Sequence, residues 1–197
     1  NFSKLTDLEV KPTLFFEFHG SENGNIESIE SCKEISEENG GFKFKWSKDL
    51  EERNKLWKAR HDVYWSVKAL KADARVYATD ACVPITELAN CIKFAEKEIQ
   101  NLSLRAPIVG HVGDGNFHVT VLYDPENRED FKVIRSFSDK LVKKSLELGG
   151  TVTGEHGIGL NKKEYLLSEH PTSIKLMKSL KKTIDPNNIM NPGKIFD

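Results

Sequence analysis

"VGHVGDGNFHVTVLY", residues 109–123, decides the fold. Apolar residues flank a polar centre, and Gly113, Gly115 and Asn116 are residue types that tight turns require. The stretch predicts an antiparallel hairpin. If Asp114 and Gly115 are the two central turn residues, His111 falls directly opposite His118. Directly opposed side chains share a face, with Cβ atoms about 4.5–5.5 Å apart. Two imidazoles so placed can converge on one metal ion at about 2.0–2.1 Å. The other reading, a pair of half-exposed turn histidines with no ligand, stands beside it on spacing alone.

Helical and strand-like patterns alternate on either side of the hairpin. "TLFFEFH" (13–19) has the length and composition of a strand, and "FKFKW" (42–46) alternates as a half-buried strand should. Between them Ile29, Cys32 and Ile35 recur at helical spacing, stopped by Gly40 and Gly41. Residues 49–70 predict one helix with Leu56, Val63, Val67 and Leu70 on a stripe. "ARVYATDACV" (74–83) is β-prone, and Pro84 opens a helix with Leu88, Ile92, Ala95 and Ile99 on its inner face. After the hairpin comes a long helix carrying Ile134, Phe137, Leu141, Ser145 and Leu148, stopped by Gly149 and Gly150. Pro171 opens a last helix with Ile174, Met177, Leu180 and Ile184 inward. Because the clearest strand pair is a hairpin, the fold class is α+β, with an antiparallel sheet flanked by helices.

The 197 residues are enough for one large domain or two small ones. A formal net charge of −1 speaks against broad electrostatic binding to nucleic acid or anionic membrane. No apolar run approaches the roughly 18 residues of a membrane span. Cys32, Cys82 and Cys91 are odd in number and lack CxxC spacing, which suggests a reducing compartment rather than a disulfide framework. The chain starts at Asn1 with no targeting segment, as a piece of a longer or processed protein would, with any address upstream.

A third ligand would strengthen the metal reading. "TGEHGIG" (153–159) offers Glu155 and His156 in a loop whose glycines allow close approach of a ligand. Two histidines and one carboxylate leave coordination positions open, which suits catalysis, and an adjacent imidazole can handle protons. A plain turn between strand and helix is the alternative. Arg60 falls on the stripe of Leu56, Val63 and Val67, where an apolar residue is expected. A structural ion pair, a snorkelling side chain and a bidentate clamp for a substrate carboxylate all fit it.

With these residues assembled, the chain resembles the C-terminal part of the FAD-linked 2-hydroxy-acid dehydrogenases, most closely their D-lactate-oxidising, cytochrome-linked branch. The resemblance rests on "PTLFFEFHG" (12–20), "LWKARHDVYW" (56–65), "TDACVPITEL" (79–88), "GHVGDGNFH" (110–118), "GTVTGEHGIGLNKK" (150–163) and "DPNNIMNPGK" (185–194). It implies a ferredoxin-like substrate-binding cap over residues 1–150 and a C-terminal return segment over 151–197. It further implies a divalent metal, Zn or Mn, held by His111, His118 and Glu155. His156 would be the base, Arg60 the ligand of the substrate carboxylate, and Asn191 and Lys194 neighbours of the flavin. The family binds FAD mainly through an N-terminal domain with no equivalent in these residues, and no GxGxxG opens a βαβ unit here. This piece alone is therefore expected to hold flavin weakly and to be inactive. Implied partners are a small 2-hydroxy acid and an electron acceptor such as cytochrome c or an electron-transfer flavoprotein; the implied location is mitochondrial.

Relatives acting on D-2-hydroxyglutarate carry a lysine and an asparagine where this chain has Ala78 and Thr120. Without that basic group a distal carboxylate lacks its partner, so a small monoacid, D-lactate first, is the expected substrate. Glycolate, a longer aliphatic 2-hydroxy acid and D-2-hydroxyglutarate remain alternatives. A non-redox metal-binding module and a zinc hydrolase are the alternatives from other classes, and neither requires a flavin.

Overall fold

The structure, a computed structural model, describes residues 9–71 and 73–196. The chain forms two compact units, up to Ser66 and from Val67 onward.

In the first unit α1 (Glu22–Glu38) is capped by Ser21, whose Oγ accepts the Gly24 N–H at 3.2 Å, and ends before Gly40 at φ +79°. α2 (Leu50–His61) is capped by the Asp49 carboxylate, which accepts the Glu52 N–H at 2.9 Å. Glu51 and Glu52 in its first turn and Lys58, Arg60 and His61 in its last complement the helix dipole.

Three expectations are corrected here. "TLFFEFH" and "FKFKW" form no strand, and Leu14, Phe16, Phe42 and Trp46 are exposed. Alternation defines a face, but a strand also needs a ladder partner, and among the described residues neither stretch has one. The helix over 49–70 is two helices, α2 and α3 (Val63–Lys68), separated at Asp62. The run Val63-Tyr64-Trp65 that follows is β-branched and aromatic, with low helix propensity. The stripe is also incomplete: Leu56 and Leu70 are exposed, and only Val67 of the four is fully buried.

The second unit is built on an antiparallel sheet. Its strands are β1 (Arg75–Ala78), β2 (Ala81–Cys82), β3 (Ile108–His111) and the central β4 (Asn116–Tyr123). Ala78 pairs with Thr120 and Ala81 with Phe117, so β1 and β2 keep one register on β4 and are two halves of a strand parted at Thr79 and Asp80. β3 lies on the other side of β4, and Thr151 bridges to Cys82.

Period-two alternation gives β4 two faces. Phe117, Val119 and Val121 are fully buried, against Leu88, Cys91 and Ala95 of α4 (Leu88–Asn101) and Ile134, Phe137 and Leu141 of α5 (Arg128–Glu147). Burying each large side chain contributes about 1.5–3 kcal/mol. Both helices bury the faces expected from their spacing. The other face of β4 carries Asn116, His118 and Thr120.

The hairpin register differs from the two-residue turn. His111 pairs with Asn116, and His118 with Val109. The connection is a tight 3-10 turn, Val112–Asp114, closed by Gly115 at φ +72° with its N–H on Val112 O at 3.3 Å. The slip is by two residues, which preserves side-chain parity. The two histidines therefore still share a face, as diagonal neighbours rather than opposed ones.

Two short helices close the chain: α6 (Lys163–Glu169), which no periodicity announced, and α7 (Ile174–Ile184). The expected inner face of α7 is not buried; Leu180 and Ile184 are exposed.

Gly115→Ala is expected to destabilise the protein by about 2–3 kcal/mol, since its φ is positive and a Cβ would lie 2.0 Å from Val83 O. Gly113→Ala, with nothing within 4 Å of the added carbon, is expected to be neutral or stabilising by up to about 1 kcal/mol. Denaturant unfolding of the two variants checks both.

A candidate metal and acid–base site

The polar face of β4 meets the loop that follows Thr151. His118 stands on the strand with its side chain 12 % exposed. Its Nδ1 lies 2.9 Å from Thr79 O, and its Nε2 lies 2.7 Å from Glu155 Oε1. The His156 ring stacks on His118 with centroids 4.9 Å apart and planes 7° from parallel. His156 Nε2 is 3.7 Å from Glu155 Oε1. The His111 ring meets His118 edge-on at 6.5 Å. Four residues singled out from the sequence, His111, His118, Glu155 and His156, are thus brought together from the hairpin and the loop.

Their common organiser is Asp80, which the sequence reading missed. Its side chain is completely buried. Asp80 Oδ2 accepts from Thr153 Oγ1 at 2.6 Å, Gly154 N at 2.9 Å, His156 N at 3.0 Å and Lys162 Nζ at 3.2 Å. Asn116 Nδ2 donates to Oδ1 at 3.1 Å, and Glu155 N lies 3.2 Å from both oxygens. Burial pushes the carboxyl upward. The bonds from Thr153, the His156 amide, the Lys162 ammonium and Asn116 outweigh it and hold the carboxyl well below the usual carboxylate range. Successive backbone N–H groups converging on one anion form a nest. Here the anion is part of the protein, and the nest it fills carries Glu155 and His156.

The loop sequence follows from this packing. A Cβ at Gly154 would lie 2.1 Å from Asn116 Nδ2, so only glycine admits the amide that braces Asp80. Asn116 donates its second hydrogen to Ala81 O at 3.1 Å, and its buried Oδ1 has no donor among the described residues. Arg135 and Tyr165 pin the downstream end, donating to Asn161 O at 3.3 Å and to the Asp139 carboxylate respectively.

Ligand atoms of Asp80, His118 and His156 lie within 4.8 Å of one another, spacing compatible with a metal ion. Asp80 nevertheless has its lone pairs committed to six donors, which leaves it an anchor rather than a ligand. His118 differs. A carbonyl oxygen only accepts, so contact with Thr79 O requires the proton on Nδ1. His118 Nε2, 2.7 Å from Glu155 Oε1, can donate to the carboxylate from an imidazolium or, from a neutral ring, share a bound cation with it. A ligating imidazole with its other N–H on a carbonyl is the arrangement metal sites use. The donor set of His118, Glu155 and the neighbouring His111 therefore fits a divalent ion.

The remaining predicted residues stand on other elements. Arg60 is half-buried on α2, in the first unit. Asn191 (φ +49°) and Lys194 are exposed in the C-terminal turn, where Lys194 N donates to Asn191 O at 3.2 Å. That turn follows Asp185, which accepts the N–H groups of Ile189 and Met190 at 3.0 and 2.9 Å and pairs with Lys181. It is tied to the GEHG loop by Ile195 N–H on Gly159 O at 2.8 Å. Ala78 and Thr120 are direct cross-strand partners on the face of His118. Thr120 Oγ1 is turned to Pro107 O at 2.8 Å.

Residues 1–195 match the family described as FAD linked oxidases, C-terminal domain. The chain is 44 % identical over 189 residues to a probable mitochondrial D-lactate dehydrogenase of Danio rerio, covering 95 % of this chain and 38 % of that one. It is 36 % identical to the mitochondrial D-lactate dehydrogenase [cytochrome] of Arabidopsis thaliana, covering 100 % and 35 %. Identity to the glycolate oxidase subunit GlcD of Bacillus subtilis is 34 %, covering 95 % and 40 %. The chain thus spans little more than a third of the length of the curated relatives it matches. In fold it is similar to 4-ethylphenol oxidase from Gulosibacter chungangensis in its isoeugenol complex, with a TM-score of 0.57 at 17 % identity, covering 90 % of this chain and 38 % of that one.

Asp80→Asn is expected to cost about 3–5 kcal/mol of stability, because it removes one partner of a buried ionic network. The folded-state carboxyl is held below its unfolded value, so its stabilisation is complete above the ordinary carboxylate range near pH 4 and is lost as pH falls below it. Acid unfolding curves of wild type and variant check this: the variant should lack that loss of stability below about pH 4.

Proposed function

The chain belongs to the FAD-linked oxidases, as their C-terminal domain, and from that premise we propose that it is the substrate side of a flavin-dependent dehydrogenase acting on a small D-2-hydroxy acid, D-lactate to pyruvate. The observation that carries this reading is the convergence of His118, Glu155 and His156, with His111 alongside, on one face of the sheet. Residues 1–150 would serve as the cap and 151–197 as the return segment toward the flavin.

Oxidising a 2-hydroxy acid requires loss of the hydroxyl proton and of the C2 hydride. His111, His118 and Glu155 would hold a divalent cation, Zn or Mn, which when bound lowers the pKa of a coordinated hydroxyl. FAD, held mainly by a part of the protein outside this chain, supplies the hydride acceptor. His156 is the base and takes the hydroxyl proton at Nε2. Its backbone N–H on Asp80 fixes the position of the ring's own residue, and the stack on His118 fixes the ring plane. Arg60 binds the substrate carboxylate through its planar guanidinium and selects the face presented. Asn191 and Lys194 present an amide and an ammonium to the flavin side. The exposed apolar residues Leu176, Leu180, Ile184, Ile189 and Met190 suit a segment covered by the rest of the protein.

The Ala78–Thr120 pair supports the small monoacid. Neither side chain carries a charge for a distal carboxylate, and both stand beside the His118 row. Glycolate is the second reading, favoured by the similarity to a glycolate oxidase subunit. Relatives named as mitochondrial and cytochrome-linked support a mitochondrial location and an acceptor such as cytochrome c or an electron-transfer flavoprotein. The described residues contain no helix long and apolar enough to cross a membrane.

The test is a substrate panel with the full-length, FAD-loaded protein, with and without chelator. D-lactate should be turned over with the highest kcat/KM, D-2-hydroxyglutarate poorly, and activity should fall on metal removal and return on adding Zn²⁺ or Mn²⁺. Activity unaffected by complete metal removal, or a protein recovered without flavin, would contradict the reading. His156→Ala should lower kcat by about 10²–10⁴-fold with a much smaller change in KM.

A further inference from the structure

The break between β1 and β2 contains an exchange of hydrogen-bond roles. Thr79 N–H donates to Val119 O at 3.1 Å, as the ladder requires. The return bond does not go to the Thr79 carbonyl. Val119 N–H donates instead to Thr79 Oγ1 at 2.9 Å, and the freed carbonyl stands 2.9 Å from His118 Nδ1. Both Thr79 and Val119 are buried, so neither backbone group can turn to solvent for a partner.

We propose that Thr79 is a positioning residue for the metal site: its hydroxyl replaces its own carbonyl in the ladder, and the carbonyl locks His118 with Nε2 directed toward Glu155. A hydroxyl one bond from Cβ is the feature that permits this. Serine retains it. Valine has the same shape but no acceptor, so the buried Val119 N–H would draw the carbonyl back into the ladder and release the ring. Asp80, the next residue, holds Glu155 and His156 through their backbone amides. Two consecutive residues that leave the ladder thus orient all three side chains. The break is a built feature, as irregularities in strands beside active sites commonly are.

This inference rests on the metal reading above, and its test separates the two. In full-length protein, Zn²⁺ affinity is measured by chelator competition for wild type, Thr79→Ser and Thr79→Val, and the His118 ring nitrogens are read by ¹⁵N NMR. Thr79→Val should bind Zn²⁺ about 10–100-fold more weakly, while Thr79→Ser stays near wild type. Wild-type Nδ1 should carry the proton in both the Zn²⁺-loaded and the metal-free protein. A folded Thr79→Val with wild-type affinity overturns the proposal. So does a wild-type His118 protonated only on Nε2, a measurement that needs no variant to fold. Should wild type bind no divalent metal, the metal reading fails, and the metal-free Nδ1 signal alone decides the role of Thr79.

Discussion

The Asp80 carboxylate is completely buried and ionised, and every other feature of the site is referred to it. Placing a charge there costs several kcal/mol of desolvation unless the surroundings replace the lost water. They do so with three consecutive backbone amides, a threonine hydroxyl, an asparagine amide and a lysine ammonium. Because these donors come from the strand pair, the loop and the segment before α6, satisfying one charge fixes three chain segments relative to one another. A neutral residue of the same size would not compel the loop 153–156 to fold onto the sheet.

The sheet separates stability from chemistry by face. On one face Phe117, Val119 and Val121 pack into the helices, giving β4 a rigid backbone. On the other, Asn116, His118 and Thr120 stand on that same backbone. A site on a strand whose opposite face is fully packed is held to tighter tolerances than one on a free loop. The loop contributes the residues that strands supply poorly, an adjacent acid and imidazole, and Asp80 lends it the rigidity it lacks.

Much of this was legible in the residues. The apolar spacing of α4 and α5 and the hairpin around Gly115 follow from periodicity and turn chemistry; Glu155 and His156 stand out by residue type, and the family resemblance is what joins them to the hairpin histidines. The register was missed because Val112–Asp114 closes in a 3-10 turn, which residue types alone do not distinguish from a two-residue turn; parity saved the shared face. The stretches 13–19 and 42–46 have strand patterning without a partner, and patterning is silent on partners. Asp80 had a signal that went unused. A carboxylate inside the β-prone run "ARVYATDACV" poses the same question as Arg60 on an apolar stripe, and its answer, a set of convergent donors, lay 73–76 residues downstream.

The most direct measurement is amide hydrogen exchange, resolved by residue, on the full-length protein. The expected result is joint protection of the Gly154, Glu155 and His156 amides, exchanging far more slowly than free loop amides and lost together in Asp80→Asn. Fast exchange of these three amides in the wild-type protein would show that the buried carboxylate does not hold the loop, and the organisation of the site would need another origin.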